Sequence, residues 1–111
     1  MAKSEILDRL FEVIEARRLE RPEDSYVVSL LDGGVEAMAA KVREEAEETI
    51  EAVAAGDSEH SAREFADLIF HAWVLLAGAG LRPSDVYRVL EERFGVGGLA
   101  EKAAREGDPI G

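Results

Sequence analysis

The chain of 111 residues has room for one domain with its own core, and without cysteine it can form no disulfide, thiolate metal site or cysteine nucleophile. A formal net charge of −11, from 24 Asp+Glu against 13 Lys+Arg, argues against nucleic-acid partners, whose phosphates such a surface repels. Residues Met1 to Glu5 run into an amphipathic pattern with no signal core, and no later stretch is a charge-free run of bilayer length, so a cytoplasmic protein without a membrane partner is expected.

Only Pro22, Pro83 and Pro109 interrupt a chain rich in alanine, leucine and glutamate, which predicts helix nearly throughout. The first helix is expected to start after Ser4 as N-cap, to carry Ile6, Leu7, Leu10, Phe11, Val13 and Ile14 at helical spacing, and to stop near Leu19. Residues Arg21 to Tyr26 read as a loop. The run Val27 to Leu31 fits either an extended piece or a short helix.

Gly33-Gly34 then frees the chain for a second main helix from about Val35 to Ala55, ended by Gly56, with Asp57 and Ser58 placed to cap the next one. The third main helix is expected from about Glu59 to Ala77, closing at Gly78 and Gly80. Pro83-Ser84-Asp85 opens a fourth through Phe94, because proline in a first turn sacrifices no hydrogen bond. A last helical piece, Leu99 to Arg105, leads to a short tail from Glu106 to Gly111. The fold class predicted is all-α, a four-to-five-helix antiparallel bundle forming one domain over residues 1–105.

The chemistry is expected on the second and third main helices. At about 100° per residue the five glutamates of Lys41-Val42-Arg43-Glu44-Glu45-Ala46-Glu47-Glu48-Thr49-Ile50-Glu51 separate into two groups. Val42, Ala46, Thr49, Ile50 and Val53 form the expected core stripe, with Glu45, Glu48 and Lys41 on its shoulder; Glu44, Glu47 and Glu51 face solvent. Read alone, the run also fits a solvated face held by pairs such as Lys41 with Glu45, each worth about 0.2–0.5 kcal/mol.

The next helix alters that balance. Phe65, Ala66, Leu68, Ile69, Phe70, Ala72, Trp73, Val74, Leu75, Leu76 and Ala77 cover nearly its whole circumference, so it should be central and buried. Glu64, Asp67 and His71, at i, i+3 and i+7, occupy one narrow stripe in that apolar surface. Carboxylates there require cations or hydrogen-bond donors, from arginines of another helix or from a bound metal, and His71 alone fits a hydrogen-bonded core histidine. Two pairs, Glu45-x-x-Glu48 and Glu64-x-x-Asp67, on consecutive antiparallel helices can face one another across a groove. Four oxygen donors suit Mg²⁺, whereas a di-iron bundle would need Glu-x-x-His.

These residues resemble the phosphoribosyl-ATP pyrophosphatases, a branch of the all-α NTP pyrophosphohydrolase (MazG-like) superfamily. The landmarks are Ile6-Leu7-Asp8-Arg9-Leu10, Ser25-Tyr26 followed by Leu30, Lys41-Val42 leading to Glu45-Ala46 and Glu48, Glu64-Phe65-Ala66-Asp67-Leu68 with His71, the Val86 to Phe94 helix, and Glu101-Lys102. The resemblance implies hydrolysis of the α–β phosphoanhydride of phosphoribosyl-ATP to phosphoribosyl-AMP and pyrophosphate in histidine biosynthesis, with Mg²⁺ held by Glu45, Glu48, Glu64 and Asp67. Lys41, Lys102 and Arg105 are the candidates to meet phosphates, and Ser25 and Tyr26 to contact substrate, although Ser25 equally suits a turn cap and Tyr26 a packing role.

The sequence departs from the family pattern at Val27, Arg43 and Phe65, where threonine, a small residue and a small residue are usual. Members often carry a fused phosphoribosyl-AMP cyclohydrolase domain, which is expected here on a separate chain. A helix apolar on nearly all sides favours a homodimer. Two other functions fit the same carboxylates: a housecleaning nucleoside triphosphate pyrophosphohydrolase, and a non-catalytic acidic helical module.

Overall fold

The structure, a computed structural model, describes residues 5–94. Among them it is all-helical: α1 (Ile6–Glu20), α2 (Tyr26–Asp32), α3 (Gly34–Ala54), α4 (Ser58–Gly78) and α5 (Pro83–Phe94). Two compact units divide at Leu81 and Arg82, so α1 to α4 form one unit and α5 belongs to the other. The Ser4 cap, the Leu99–Arg105 helix and the tail lie outside the described residues.

In the first unit α1 is preceded by Glu5, whose side chain makes no capping bond, and ends where Arg21 adopts a left-handed φ of 51° and returns its amide to the Arg17 carbonyl. Arg21 then reaches Asp32 at the far end of α2 with two bonds from Nη2, of 2.9 and 2.8 Å. The Val27–Leu31 run, ambiguous from its pattern, is helical. Ser25 accepts from the Val28 amide at 3.2 Å, and the resulting turn puts Val27 and Leu30 on one buried face. A local cap and a shared face decide the conformation in spite of two consecutive β-branched valines.

Positive φ at Gly34 (76°) and Gly56 (78°) turns the chain into α3 and out of it, a conformation that side chains with a Cβ resist. Asp57 caps α4 by accepting from the His60 amide at 3.0 Å. The short α3–α4 connection makes an antiparallel hairpin, and that pair shares the most extensive packing in the unit. Helix α4 also touches α1 and α2, so it is central as expected. The core gathers Phe11, Ile14, Val27, Leu30, Met38, Val74 and Ala77, with Ile14 and Val74 wholly buried. Trp73, at the rim of this core, donates its indole N–H to the Leu7 carbonyl at 2.9 Å and so ties α4 to α1.

Two sequence expectations need correction. The buried face of α3 runs through Met38, Glu45, Thr49 and Ala52, whereas Ile50 and Val53 are 61% and 53% exposed. The true face is turned toward the carboxylates because α3 meets α2 and α4 along the Met38–Glu45–Thr49 line, which an apolar count alone does not see. Helix α4 is also less covered than its composition implies, since Phe65 and Ile69 remain exposed. Ile50, Val53 and Phe65, with Ala46 and Leu68, line an apolar groove of about 530 Å³ between α3 and α4.

In the second unit, Asp85 opens α5 by accepting from the Arg82 amide at 2.9 Å and from the Arg88 guanidinium at 2.8 Å. These bonds satisfy the start of the helix and hold the Asp85 carboxyl below its usual range, with the Arg82 amide as the main cause.

Candidate active site

The α3–α4 hairpin brings Glu45 and Glu48 together with Glu64. Glu45, Glu48 and Glu64 each offer a carboxylate oxygen, and those atoms lie within 4.8 Å of one another. The i, i+3 spacing puts Glu45 and Glu48 on one side of α3, and the antiparallel turn swings Glu64 of α4 to meet them. Asp67, one turn beyond Glu64, is exposed at the rim and not buried in the stripe, but its charge still bears on Glu45.

Glu45 is 7% exposed, and its Oε2 finds no partner among the described residues; the Oε2 of Glu64 is likewise buried and has none among them. An unpaired carboxylate in such a place costs several kcal/mol in real proteins, roughly, unless something positive meets it. The protein's own response is to hold the proton. Burial, joined by the charges of Glu48, Asp67 and Glu64, pushes the Glu45 carboxyl up to about 7.

The arginine partner that would satisfy these acids internally is absent from the described residues around them. Among the described residues, His60 brings a basic group to the cluster, its Nε2 3.8 Å from Glu64 Oε1. Sequence reasoning passed over His60, although its position four residues before Glu64 on one helix is the signal for such a pairing. Glu48, Glu51, His60 and Glu64 line a cavity of about 460 Å³ beside the cluster. Convergent oxygen donors, two of them orphaned, fit a hard divalent cation, which would satisfy what the chain leaves open.

Lys41 sits half-buried near this group, but its ammonium bonds Glu44 at 3.2 Å, not Glu45 as the i, i+4 spacing suggested. That bond is the main reason its pKa is raised, with smaller contributions from Tyr26 and Glu45. Ser25 is engaged as the cap of α2. Tyr26, half exposed, stacks on Phe70 at 6.1 Å between centroids and meets the edge of His71. His71 is buried and hydrogen-bonded, as a core histidine should be. Lys102 and Arg105 lie outside the described residues.

Known proteins share this arrangement of sequence. A family profile described as Phosphoribosyl-ATP pyrophosphohydrolase matches residues 7–94. Curated relatives named Phosphoribosyl-ATP pyrophosphatase include one from Methylococcus capsulatus, 46% identical over 102 residues that cover 92% of this chain and 97% of the relative. One from Rhodopirellula baltica is 47% identical, covering 89% and 85%, and one from Parvibaculum lavamentivorans is 50% identical, covering 89% and 91%. With the profile spanning α1 to α5 and identity at this level over nearly all of each partner, the chain belongs to the phosphoribosyl-ATP pyrophosphohydrolase family.

Proposed function

We propose that this protein hydrolyses phosphoribosyl-ATP to phosphoribosyl-AMP and pyrophosphate, a step of histidine biosynthesis, with Mg²⁺ held by Glu45, Glu48, Glu64 and Asp67. The observation that carries the reading is the meeting of Glu45 and Glu48 of α3 with Glu64 of α4, with buried oxygens on Glu45 and Glu64 that have no partner among the described residues, in a chain of this family. When bound, Mg²⁺ supplies positive charge against the triphosphate and a Lewis acid at the scissile phosphoanhydride. The chain's own part is to fix the carboxylates and keep the buried ones dry.

Water adds to phosphorus, the bridging P–O bond breaks, and the displaced pyrophosphate leaves while a carboxylate of the cluster takes up the water's proton. An acidic pocket still has to receive a very anionic substrate. Lys41, Lys102 and Arg105 are proposed to meet phosphate oxygens, Lys41 by exchanging its Glu44 partner for substrate, and Ser25 and Tyr26 to line the nucleotide.

The reading includes a homodimer. The exposed groove of Ile50, Val53 and Phe65 is apolar, rimmed by the charged face of α3, and suited to a second copy of the same hairpin. It also includes a cytoplasmic location and a separate phosphoribosyl-AMP cyclohydrolase that consumes the product; no single described helix is long and apolar enough to cross a membrane.

The deciding experiment is pyrophosphate release from phosphoribosyl-ATP with and without Mg²⁺, in the wild type and in folded Glu48→Gln and Asp67→Asn variants. Mg²⁺-dependent release lost in both variants is the expected result. A folded wild type that spares phosphoribosyl-ATP but cleaves non-standard nucleoside triphosphates would replace this substrate, and one that cleaves neither would leave the non-catalytic module.

A further inference from the structure

His71 projects from α4 one turn beyond Asp67, and both of its ring nitrogens are engaged. Nδ1 lies 2.7 Å from the main-chain oxygen of Asp67, and Nε2 lies 2.8 Å from the Tyr26 hydroxyl. A carbonyl oxygen can only accept, so Nδ1 carries the proton of that first bond. In a neutral imidazole Nε2 is then bare, and the second bond must use the phenol's own hydrogen. Tyr26 therefore donates to His71, and its oxygen is left with acceptor capacity alone.

The phenol is held in that state from several sides. Its ring lies nearly parallel to Phe70, with 13° between planes, while His71 stands edge-on to both rings at 81° and 90°. Ser29, in the same first turn of α2, donates to the Tyr26 carbonyl at 2.7 Å. The backbone of Asp67 and the hydroxyl of Tyr26 are thus joined through one buried ring, which links the rim of the carboxylate cluster to a half-exposed side chain.

We infer that His71 is a positioning residue that fixes the Tyr26 hydroxyl as a hydrogen-bond acceptor, so that Tyr26 receives a donor group of the substrate, a sugar hydroxyl or an amine, and not a phosphate oxygen. Two acceptors facing one another have no proton to share, and an anionic phosphate would be repelled by the lone pairs of the phenol. Phosphate recognition falls instead to cations, of which Lys41 lies within electrostatic range of Tyr26. The inference rests on the proposed reading that Tyr26 lines the nucleotide; the hydrogen-bond arrangement itself does not.

The first half of the test uses the free protein labelled with ¹⁵N. The chain has two histidines, so long-range ¹H–¹⁵N spectra read the ring of His71 directly once His71→Gln has identified its signals. A protonated Nδ1 and a bare Nε2 are expected, with Tyr26→Phe moving the Nε2 signal and sparing Nδ1. A proton on Nε2, alone or together with Nδ1, overturns the inference.

The second half separates donor recognition from phosphate recognition. Tyr26→Phe is expected to raise KM for phosphoribosyl-ATP about two- to tenfold, the cost of one neutral hydrogen bond, and to lower kcat by less. Inhibition by Mg²⁺-pyrophosphate, which offers acceptor oxygens, should stay as it was; a parallel loss of pyrophosphate affinity refutes the assignment. His71→Gln, whose amide oxygen accepts the same phenol proton, should keep a lower KM than His71→Leu, and equal values would reduce His71 to a packing residue. Absence of turnover in the wild type would sink the hydrolase reading, while the spectra would still decide the hydrogen-bond arrangement.

Discussion

Glu45 and Glu64 each end in a buried oxygen with no partner among the described residues, and with Glu48 they present carboxylate oxygens within 4.8 Å of one another across the α3–α4 hairpin. Three acids so placed repel one another and resist losing water, so the hairpin is held together at this level by the apolar packing above and below it. Without a cation the strain is relieved by the proton that Glu45 retains up to about pH 7, and a divalent cation shared by the three would relieve it further.

Glu45→Gln separates the two consequences of that strain. The amide removes a charge whose ionisation opposes folding, so the variant without divalent cations should melt no lower than the wild type at pH 8. Stabilisation by Mg²⁺ should shrink, and activity should fall by more than the roughly 10–100-fold that loss of an outer-shell partner costs a metal site. Thermal melts with and without Mg²⁺, beside pyrophosphate release, check both; a variant with normal Mg²⁺ stabilisation would remove Glu45 from the site.

The pH dependence follows from the same group. The folded-state pKa of Glu45, about 7, stands above its ordinary 4.5, so the folded chain binds this proton more tightly than the unfolded one. Its contribution to stability is fully present below about pH 4.5 and is lost as pH rises through about 7. Without divalent cations, the melting temperature of Glu45→Gln relative to wild type should therefore climb across that window and level off above it. A difference that does not vary with pH would place the Glu45 carboxyl in contact with water.

Ile50→Glu combined with Phe65→Glu tests the dimer. Both side chains are at least half exposed in one chain, so the substitutions cost little in an isolated protomer but put charge into any apolar interface formed there. Light scattering should give twice the chain mass for the wild type and the chain mass for the double variant, with helical content retained. A wild type that is monomeric at micromolar concentration would show that the groove serves another purpose.

Asp57→Ala should lower stability by about 0.5–2 kcal/mol, because the carboxylate caps α4 through the His60 amide and no other side chain in the Ala55–Asp57 turn replaces it. Urea unfolding with an unchanged m-value would measure this. Ile14→Ala, at a position with no exposure, should cost more, about 2–5 kcal/mol. If the cap variant proved the more damaging of the two, α4 would be held by its turn and not by its core contacts.

What the sequence determined by itself was local. The helix boundaries were legible because glycines, prolines and an aspartate cap stand where chains turn, and the i, i+3 carboxylate pairs were legible because a helix converts spacing into a shared face. His71 was legible as a hydrogen-bonded core histidine for the same reason. Tertiary structure alone decided the rest. The rotation of α3, which buries Glu45 and exposes Ile50 and Val53, depends on which neighbours each face meets, and so does the exposure of Asp67 at the end of the stripe. The helical state of Val27–Leu31 and the bond from Tyr26 to His71, 45 positions apart, needed three-dimensional closure, since a period in sequence gives the direction of a side chain but not its partner.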